Sequence, residues 1–337
     1  MVTPLRSFRS FGGASHLFLL MEHLVIIDGH HLMYRAYWAI PRTLTTKAGE
    51  QVNAVFGVAS MLLAILKQEE PDRLLVCFDA GEETFRHQEH KTYKAGRAET
   101  PDDFYSQIPR IVELIDAFQF MHVSDLKYEA DDFLCAYARA GEEAHMRVTI
   151  VTGDRDALQL ATEHVRIAIP HKGYAQAEYL GPSEIEGKYG VRPDQIIDFK
   201  GLTGDTSDNL PGVKGIGPKT AAILLQEHGS LDGIYAHLEL IKKSVRQKLE
   251  EGRESAFFCR RMAELVCDFP LPVPLDSLRL QQGDIQPVLG FFRAMEFSLL
   301  SKRLQEFLRT ETGKRMFRFT EEESPKALLP EQQMSLF

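Results

Sequence analysis

The sequence has few cysteines and no apolar run long enough to cross a membrane. Only four cysteines occur among 337 residues, and they lack the close pairs that are typical of zinc ligands. No apolar stretch approaches the ~20 residues that a membrane-spanning helix needs. Cys77 and Cys135 lie in apolar runs. We therefore expect them to be buried free thiols in a reducing, cytoplasmic setting.

The chain also lacks an excess of positive charge. It has 39 Lys and Arg against 48 Asp and Glu, giving a net charge of −9, which on average argues against a nucleic-acid partner. The basic residues are concentrated in short stretches, however, so the net charge alone does not exclude a nucleic-acid partner. With 44% hydrophobic and 26% charged residues, the composition predicts a globular protein with one large domain or two moderate ones.

Residues 1–22 contain no acid before Glu22. Their apolar stretch is short and lacks a convincing cleavage site, which argues against a targeting segment. We expect a disordered or non-native extension, with Met21 as an alternative start.

Apolar runs alternate with amphipathic stretches through the first half of the chain. Buried strands are predicted at 23–27, 73–78, 120–123 and 148–152, with helices at 53–68, 103–119 and 128–140. This alternation predicts an α/β fold with a mostly parallel sheet flanked by helices, over 23–190. The pattern predicts a helical region over 191–308, which ends in one helix over 286–308. We expect 309–337 to form a flexible tail.

Three of the predicted strands end directly in an aspartate. These residues are Asp28, Asp79 and Asp154. Because chemistry in open parallel sheets collects outside the carboxyl ends of the strands, we expect the three side chains to converge. The alternative for each aspartate alone is a helix cap.

More acids lie close to these or to one another along the chain. They are Glu129, Asp131, Asp132, Asp156, Asp205 and Asp208. Carboxylates packed so closely repel one another, and divalent cations relieve the repulsion. Oxygen-only donors suit Mg²⁺ or Mn²⁺, and two such ions form the clamp used in phosphodiester hydrolysis. A structural calcium site is the alternative, but the loops lack the EF-hand pattern.

Basic and aromatic residues follow the second of these aspartates. The stretch RHQEHKTYKAGR contains Arg86, Tyr93, Lys94 and Arg97, and such a stretch grips phosphates and stacks a base. A solvated helix face is the alternative. Near Asp28, Tyr34 and Arg35 are further candidates for contacts with a nucleic acid.

A glycine-rich segment, GVKGIGPKTA, directly follows GDTSDNLP. Its glycines permit a tight turn, and its proline suits the first turn of a helix. Free amides at that helix start, with two lysines, predict a hairpin that binds a duplex phosphate backbone without reading sequence. The predicted DNA-binding residues of this hairpin are Gly212, Lys214, Gly215, Gly217, Lys219 and Thr220.

Together these motifs resemble a known family. IIDGHHLMYRAY, VCFDA, FRHQEHKTYKAGR, YEADD, VTGDRDALQL and GLTGDTSDNLPGVKGIGPKTA occur in this order. From about His23 to Leu308 the chain resembles the 5′→3′ exonuclease domain of bacterial DNA polymerase I, within the flap endonuclease superfamily.

The resemblance implies a PIN-like twisted sheet, a helical arch over the site and a helix–three-turn–helix DNA clamp. It carries metal-ligand roles to all nine acids named above, some of them through water. It places Arg86, Lys94 and Arg97 in the arch and gives Arg35 a phosphate-positioning role. It also implies a potassium ion at the 212–220 turn.

One departure is that no polymerase domain follows, so we expect a free-standing nuclease. The last residues resemble the peptide by which bacterial proteins bind the sliding clamp, although a frayed tail is the alternative. The four residues expected to contact the clamp are Gln333, Met334, Leu336 and Phe337.

The resulting hypothesis is a monomeric, nucleoid-associated 5′ nuclease that removes flaps and RNA primers, with Lys94 and Arg97 stabilising charge on the scissile phosphate. A non-catalytic, clamp-tethered DNA-binding module is the main alternative, but none of the metal carboxylates is missing. An RNA-specific PIN-type ribonuclease is a second alternative, but such enzymes lack the long arch and the hairpin.

Overall fold

The computed structural model describes residues 21–80, 86, 89, 92–94 and 100–319. Its centre is a six-stranded sheet in the order β3-β2-β1-β4-β5-β6. All neighbouring strands are parallel except β6, which pairs antiparallel with β5. The strands of this sheet are β1 (His23–Asp28), β2 (Arg73–Cys77), β3 (Met121–Val123), β4 (Arg147–Val151), β5 (Val165–His171) and β6 (Gly173–Leu180).

Helices cover the sheet and form the second half of the described chain. In the first half they are α1 (Gly29–Ala39), α2 (Asn53–Glu69), α3 (Asp102–Tyr105), α4 (Ile108–Ala117), α5 (Ala130–Glu143) and α6 (Pro182–Tyr189). In the second half they are α7 (Ile196–Thr203), α8 (Pro218–His228), α9 (Leu231–Ala236), α10 (Lys243–Glu251), α11 (Arg253–Ala263), α12 (Gln286–Ala294), α13 (Ser298–Leu308) and α14 (Glu311–Met316). Short 3₁₀ helices lie at Asp156–Leu160, Pro193–Gln195, Leu238–Leu240 and Leu275–Leu278. The predicted α/β class, with a mostly parallel sheet and a helical C-terminal region, is confirmed.

The sheet is covered on both faces because its central strands are apolar on both sides. In β1, Val25 and Ile27 pack into the core formed with α1, α2 and α4, whereas Leu24 and Ile26 pack into the core formed with α5. Successive side chains of a strand point to opposite faces, so a continuous apolar run requires helices on both sides. The carboxyl ends of β1, β2 and β4 consequently lie at one edge between the two layers.

Two strands of the sheet were not predicted. β5 reads VRIAIPH and β6 reads GYAQAEYL, and neither is a continuous apolar run. β6 is the last strand of the sheet and exposes several of its side chains, so its sequence carries a weak strand signal.

The structure corrects the predicted ends of the domain. Glu22 belongs to the fold, since its carboxylate pairs with Arg73 at 2.9 Å and with Arg279 at 2.5 Å. The expected flexible tail contains α14 and a strand β8 (Phe317–Arg318), which pairs with β7 (Gly283–Asp284). The helix expected over 286–308 is interrupted between α12 and α13, where Glu296 has a positive φ of 58°.

The predicted free thiol is wrong for Cys135. This residue forms a disulfide with Cys267, 132 positions further along the chain. Cys77 is a buried free thiol, as predicted. Among the residues that the structure describes, no helix is long and apolar enough to span a membrane.

Candidate active site

Four carboxylates form one electrostatic cluster at the carboxyl edge of the sheet, which we call the acidic centre. Asp28 ends β1, Asp79 and Asp154 follow β2 and β4, and Asp131 lies in the first turn of α5. Burial raises the pKa of Asp28 to about 7, and the charges of Asp79 and Asp154 contribute to this rise. Burial also raises the pKa of Asp131 well above its ordinary value, with repulsion from Asp154, Asp28 and Asp79. Burial and the neighbouring carboxylates therefore oppose ionisation of Asp28 and Asp131.

Hydrogen bonds from neighbouring groups orient Asp28 and Asp79. The backbone amide of His31 donates to Asp28 Oδ1 at 2.9 Å, and the Thr152 hydroxyl donates to Asp28 Oδ2 at 2.8 Å. The amide of Ala130, at the start of α5, donates to Asp79 Oδ1 at 2.7 Å. Asp28 is thus the N-cap of α1 as well as a member of the acidic centre, so the two alternatives considered from sequence are both true of it.

The donor set of the acidic centre suits a hard cation. Asp131 Oδ1 is buried and lacks a hydrogen-bond partner among the described residues, which leaves a carboxylate oxygen available as a ligand. In the described part of the chain, no three His, Cys, Asp or Glu side chains are already arranged as the ligands of a single ion. Mg²⁺ keeps several waters and commonly takes one or two carboxylates directly. The arrangement therefore fits an ion held partly through water.

Two other predicted metal ligands are paired with bases. Glu129 Oε2 lies 3.0 Å from Lys94 Nζ. Asp132 is completely buried and binds both terminal nitrogens of Arg86, at 2.8 and 3.1 Å. Asp132 also accepts hydrogen bonds from the amides of Glu129 and Val266. Both Asp132 oxygens are therefore occupied by protein donors, and this residue holds the start of α5 in place.

Lys200, a buried residue that was not among the predicted site residues, lies between Asp156 and Asp205. Lys200 Nζ contacts Asp156 and lies 2.7 Å from Asp205 Oδ2. Burial alone would raise the pKa of Asp205, but Lys200 lowers it below the ordinary value. The amide of Asp156 donates to Asp154 Oδ1 at 2.9 Å, which connects this pair to the acidic centre. Lys200 stands five positions before Asp205, but only the fold shows where its side chain lies.

The turn that carries the last acid contacts the basic stretch. Asp208 is buried, and its carbonyl accepts a hydrogen bond from the Lys94 amide at 3.3 Å. The neighbouring Asn209 side chain donates to the Thr92 carbonyl at 3.0 Å. These bonds place Lys94 beside both the Asp205–Asp208 turn and Glu129.

The residues predicted to bind phosphate or to stack on a base differ in burial and in hydrogen-bond partners. Arg35 Nη1 donates to the His171 carbonyl at the β5–β6 turn at 3.0 Å, and Tyr34 is 41% exposed. Tyr93 is buried in a small core with Leu210 and α11 residues. Arg86 is only 2% exposed, so contact with DNA would require it to leave Asp132. Arg97 and the tail residues 333–337 lie outside the described residues, as does most of the predicted arch.

The glycine-rich hairpin has the tight turn expected from its sequence. Gly212 and Gly215 have positive φ angles of 61° and 81°, and Gly217 caps α8, which begins at Pro218. Lys214 and Lys219 are exposed on the hairpin. Anions bind at such helix starts because the first backbone amides lack partners within the helix.

Contacts from α10 and α11 hold this turn in place. The Ser255 hydroxyl donates to the Gly212 carbonyl at 2.6 Å, and Lys248 Nζ donates to the Gly215 carbonyl at 3.0 Å. The Gly212 amide donates to Cys259 Sγ at 3.3 Å. The hairpin is therefore hydrogen-bonded to two helices, with Lys214 and Lys219 exposed.

Known proteins share this sequence and this arrangement. Residues 23–190 match a family model described as the 5′-3′ exonuclease N-terminal resolvase-like domain, and residues 191–286 match the 5′-3′ exonuclease C-terminal SAM fold. DNA polymerase I of Bacillus subtilis is 40% identical over 286 residues, which are 85% of this chain and 32% of that protein. The thermostable DNA polymerase I of Thermus thermophilus is 41% identical over 291 residues, 86% of this chain and 34% of that protein. The chain thus spans about a third of the length of these relatives.

Solved structures share the fold at lower identity. T5 5′-exonuclease with bound divalent zinc has a TM-score of 0.61 at 23% identity, covering 73% of this chain and 90% of that one. The catalytic core of Rad2 in complex with DNA substrate has a TM-score of 0.56 at 18% identity, covering 87% of this chain and 94% of that one. At these identities the likeness establishes the fold.

Proposed function

Because this chain belongs to the 5′-3′ exonuclease family, we propose that it hydrolyses phosphodiester bonds at 5′ ends and 5′ flaps of DNA, including RNA-primed duplexes. The observation that carries this proposal is the convergence of Asp28, Asp79, Asp131 and Asp154 at one sheet edge, with two of their pKa values raised. Carboxylates that resist ionisation together form a ready site for divalent cations.

The acidic centre would hold Mg²⁺ or Mn²⁺, directly or through water. A bound ion supplies an activated water and charge neutralisation for the leaving oxygen. Asp131 is the strongest candidate for direct ligation, since its buried Oδ1 has no protein donor among the described residues. We propose outer roles for Glu129, Asp156, Asp205 and Asp208. We propose that Asp132 has a more distant role in metal binding than these residues, because both of its carboxylate oxygens already accept hydrogen bonds from protein donors.

Lys94 and Arg35 would position the scissile phosphate, together with Arg97. The Lys94 ammonium lies 3.0 Å from Glu129 Oε2. A phosphate oxygen that replaced Glu129 as the partner of this ammonium would draw it towards the scissile phosphate. Arg35 is held by its hydrogen bond to the His171 carbonyl at the β5–β6 turn. Both groups would stabilise negative charge that develops on the phosphate.

The hairpin would bind the duplex backbone, since Lys214 and Lys219 are exposed and lie close in sequence to the start of α8. We propose that the Gly212–Thr220 turn also accepts a potassium ion on its carbonyl oxygens. The ring of Tyr34 is exposed, and we propose that it stacks on an unpaired base of the substrate.

The C-terminal peptide would bind the bacterial sliding clamp through Leu336 and Phe337. Apolar side chains on a tether raise the local concentration of the nuclease at its substrate without altering the active site. In this proposal the protein acts as a monomer close to the nucleoid.

The decisive experiment measures Mg²⁺-dependent cleavage of labelled 5′-flap, nicked and RNA-primed duplexes by wild type and by Asp154→Ala. We expect the substitution to lower the cleavage rate by several orders of magnitude. Asp194→Ala is the matched control, because Asp194 is exposed and pairs only with Arg192 among the contacts described. Unchanged cleavage by Asp154→Ala would overturn the metal-centred mechanism.

Two other outcomes separate the alternatives. Binding of flap DNA without cleavage by the wild type would favour a clamp-tethered binding module, and preferential cleavage of single-stranded RNA would favour a ribonuclease. For the tail, replacing Leu336 and Phe337 with alanine should abolish clamp binding while leaving clamp-independent cleavage intact.

A further inference from the structure

The Cys135–Cys267 disulfide joins the helix that carries part of the acidic centre to a segment of the C-terminal region. Cys135 lies in α5, and Cys267 follows α11. Their Cα atoms are 5.2 Å apart, well within the range that a disulfide bridges. Cys135 is fully buried, whereas Cys267 is partly exposed. The bond therefore joins the two family domains, and Cys267 is its more exposed end.

The segment that contains Cys267 is bound directly to residues beside the acidic centre. The Glu264 carbonyl accepts a hydrogen bond from Arg86 Nη2 at 3.0 Å. The Val266 amide donates to Asp132 Oδ1 at 2.9 Å. Asp132 lies three positions before Cys135, so the two share a face of α5. The disulfide and these two hydrogen bonds hold the same strip of chain against the start of α5.

The same strip also contacts the element that carries Asp156. Gln159 Nε2 donates to the carbonyls of Ala263 and Asp156, at 3.0 and 2.8 Å. On the other side of the disulfide, the ring of Phe269 stacks on Tyr128 at 3.9 Å, and Tyr128 directly precedes Glu129. Residues 263–269 thus connect two acid-bearing elements, and the disulfide is their covalent anchor.

We propose that the Cys135–Cys267 bond is a redox-controlled clasp on the active site. In the oxidised protein the clasp fixes residues 263–269 and, through Arg86 and Asp132, the position of the α5 carboxylates. In the reduced protein this strip moves more freely, so Glu129 and Asp131 are held less firmly and cleavage slows. The effect on cleavage rests on the proposed nuclease function, whereas the clasp itself does not.

The clasp opens and closes by thiol–disulfide exchange with a small-molecule disulfide. On closing, the Cys267 thiolate attacks that disulfide, forming a mixed disulfide and releasing one thiolate. The Cys135 thiolate then attacks the Cys267 sulfur and releases the second. The two cysteines lose two protons and two electrons, and the small disulfide gains them as two thiols. We expect Cys267 to react first because this residue is partly exposed, whereas Cys135 is fully buried.

The test compares the full chain after equilibration with oxidised or with reduced dithiothreitol. Alkylation of the unfolded protein should count two thiols in the oxidised sample, Cys77 and Cys259, and four in the reduced sample, since the chain has four cysteines. Reduction should lower Tm by on the order of 5 °C and speed amide hydrogen exchange at 129–135 and 263–269. Cleavage of a 5′ flap should slow several-fold.

Variants separate the clasp from other effects of the reagents. The double variant with Cys135→Ala and Cys267→Ala should behave like the reduced wild type in either buffer. The single variant Cys267→Ala, which leaves the buried position unchanged, should do the same if the double variant does not fold. Four thiols in the oxidised sample would overturn the proposal, and so would equal exchange and Tm in the two buffers. Loss of all cleavage in both buffers would count against the nuclease function, leaving the thiol count and exchange to decide on the clasp.

Discussion

Arg86 and Asp132 form a bidentate ion pair in which both side chains are almost fully buried, with exposed fractions of 2% and 0%. The sequence placed Arg86 among the bases of a DNA-binding arch and Asp132 among the metal ligands. The structure joins them to each other. A pair of this kind, with both carboxylate oxygens hydrogen-bonded, anchors the basic stretch to the first turn of α5.

Removing one partner of this pair should be costly. Arg86→Met leaves the Asp132 carboxylate buried with only two amide donors, so we expect the free energy of unfolding to fall by about 3 kcal/mol or more. Urea unfolding followed by circular dichroism measures the loss. Arg192→Met is the matched control, because its partner Asp194 is exposed and the expected loss is under about 1 kcal/mol. Equal losses in the two variants would contradict a structural role for Arg86.

The stability of the metal-free protein should depend on pH through Asp28. Burial raises the pKa of Asp28 from 3.8 to about 7, so between these pH values the folded chain holds a proton that the unfolded chain has released. Stability therefore falls as pH rises through this window and changes little above it. Asp28→Asn should remove this dependence and raise the free energy of unfolding at pH 8 in EDTA by about 2–4 kcal/mol. Denaturant unfolding at pH 5 and pH 8 provides the measurement.

A divalent cation should reverse the order of stability of the wild type and Asp28→Asn. Adding Mg²⁺ at pH 8 should stabilise the wild type more than Asp28→Asn, because the ion binds the ionised folded form and not the unfolded chain. The same gain in both proteins would argue against an ion near Asp28.

The glycine-rich hairpin should tolerate a methyl group at one glycine and not at another. Gly212 has a φ of 61°, and a Cβ there would collide with the backbone of Thr203 and Gly204. Gly212→Ala should therefore lower the free energy of unfolding by at least about 2 kcal/mol. Gly217 has a φ of −97° and open space around its Cβ position, so Gly217→Ala should change stability by less than about 1 kcal/mol. Thermal unfolding of the two variants compares them directly.

The salt dependence of duplex binding should show whether the two hairpin lysines contact the phosphate backbone. Replacing Lys214 or Lys219 with alanine should weaken binding and reduce the slope of log K against log salt by about 1 for each. Fluorescence anisotropy of a labelled duplex in EDTA, over a range of KCl concentrations, gives the slope. Lys302→Ala, an exposed site on α13, should leave it unchanged. A slope that responds equally to Lys302 would place the duplex elsewhere.

Several features could be predicted because they depend on local patterns. Strands β1, β2 and β4 are continuous apolar runs that end near an aspartate, and parallel strands bring their carboxyl ends to one edge. The family resemblance stood on motifs in a fixed order, and the matching family models confirm it. The glycine turn at 212–217 needs positive φ angles that few other residues adopt.

Other features needed the tertiary structure. Nothing local indicates that Lys200 lies between Asp156 and Asp205, or that Arg86 turns inward to Asp132, 46 positions away along the chain. Cys135 looked like an ordinary apolar core residue until the fold brought Cys267 beside it.

The sequence by itself thus determined the fold class, the family and the chemical character of the site, because each follows from residue types at short spacings. The tertiary structure decided which acids lie together in the acidic centre, which are already neutralised by a base, and which cysteines meet. Those outcomes depend on contacts between distant segments, and a side chain's charge or thiol does not specify its partner. The acidic residues that look alike in sequence differ in the fold because only some of them are buried beside a lysine or an arginine.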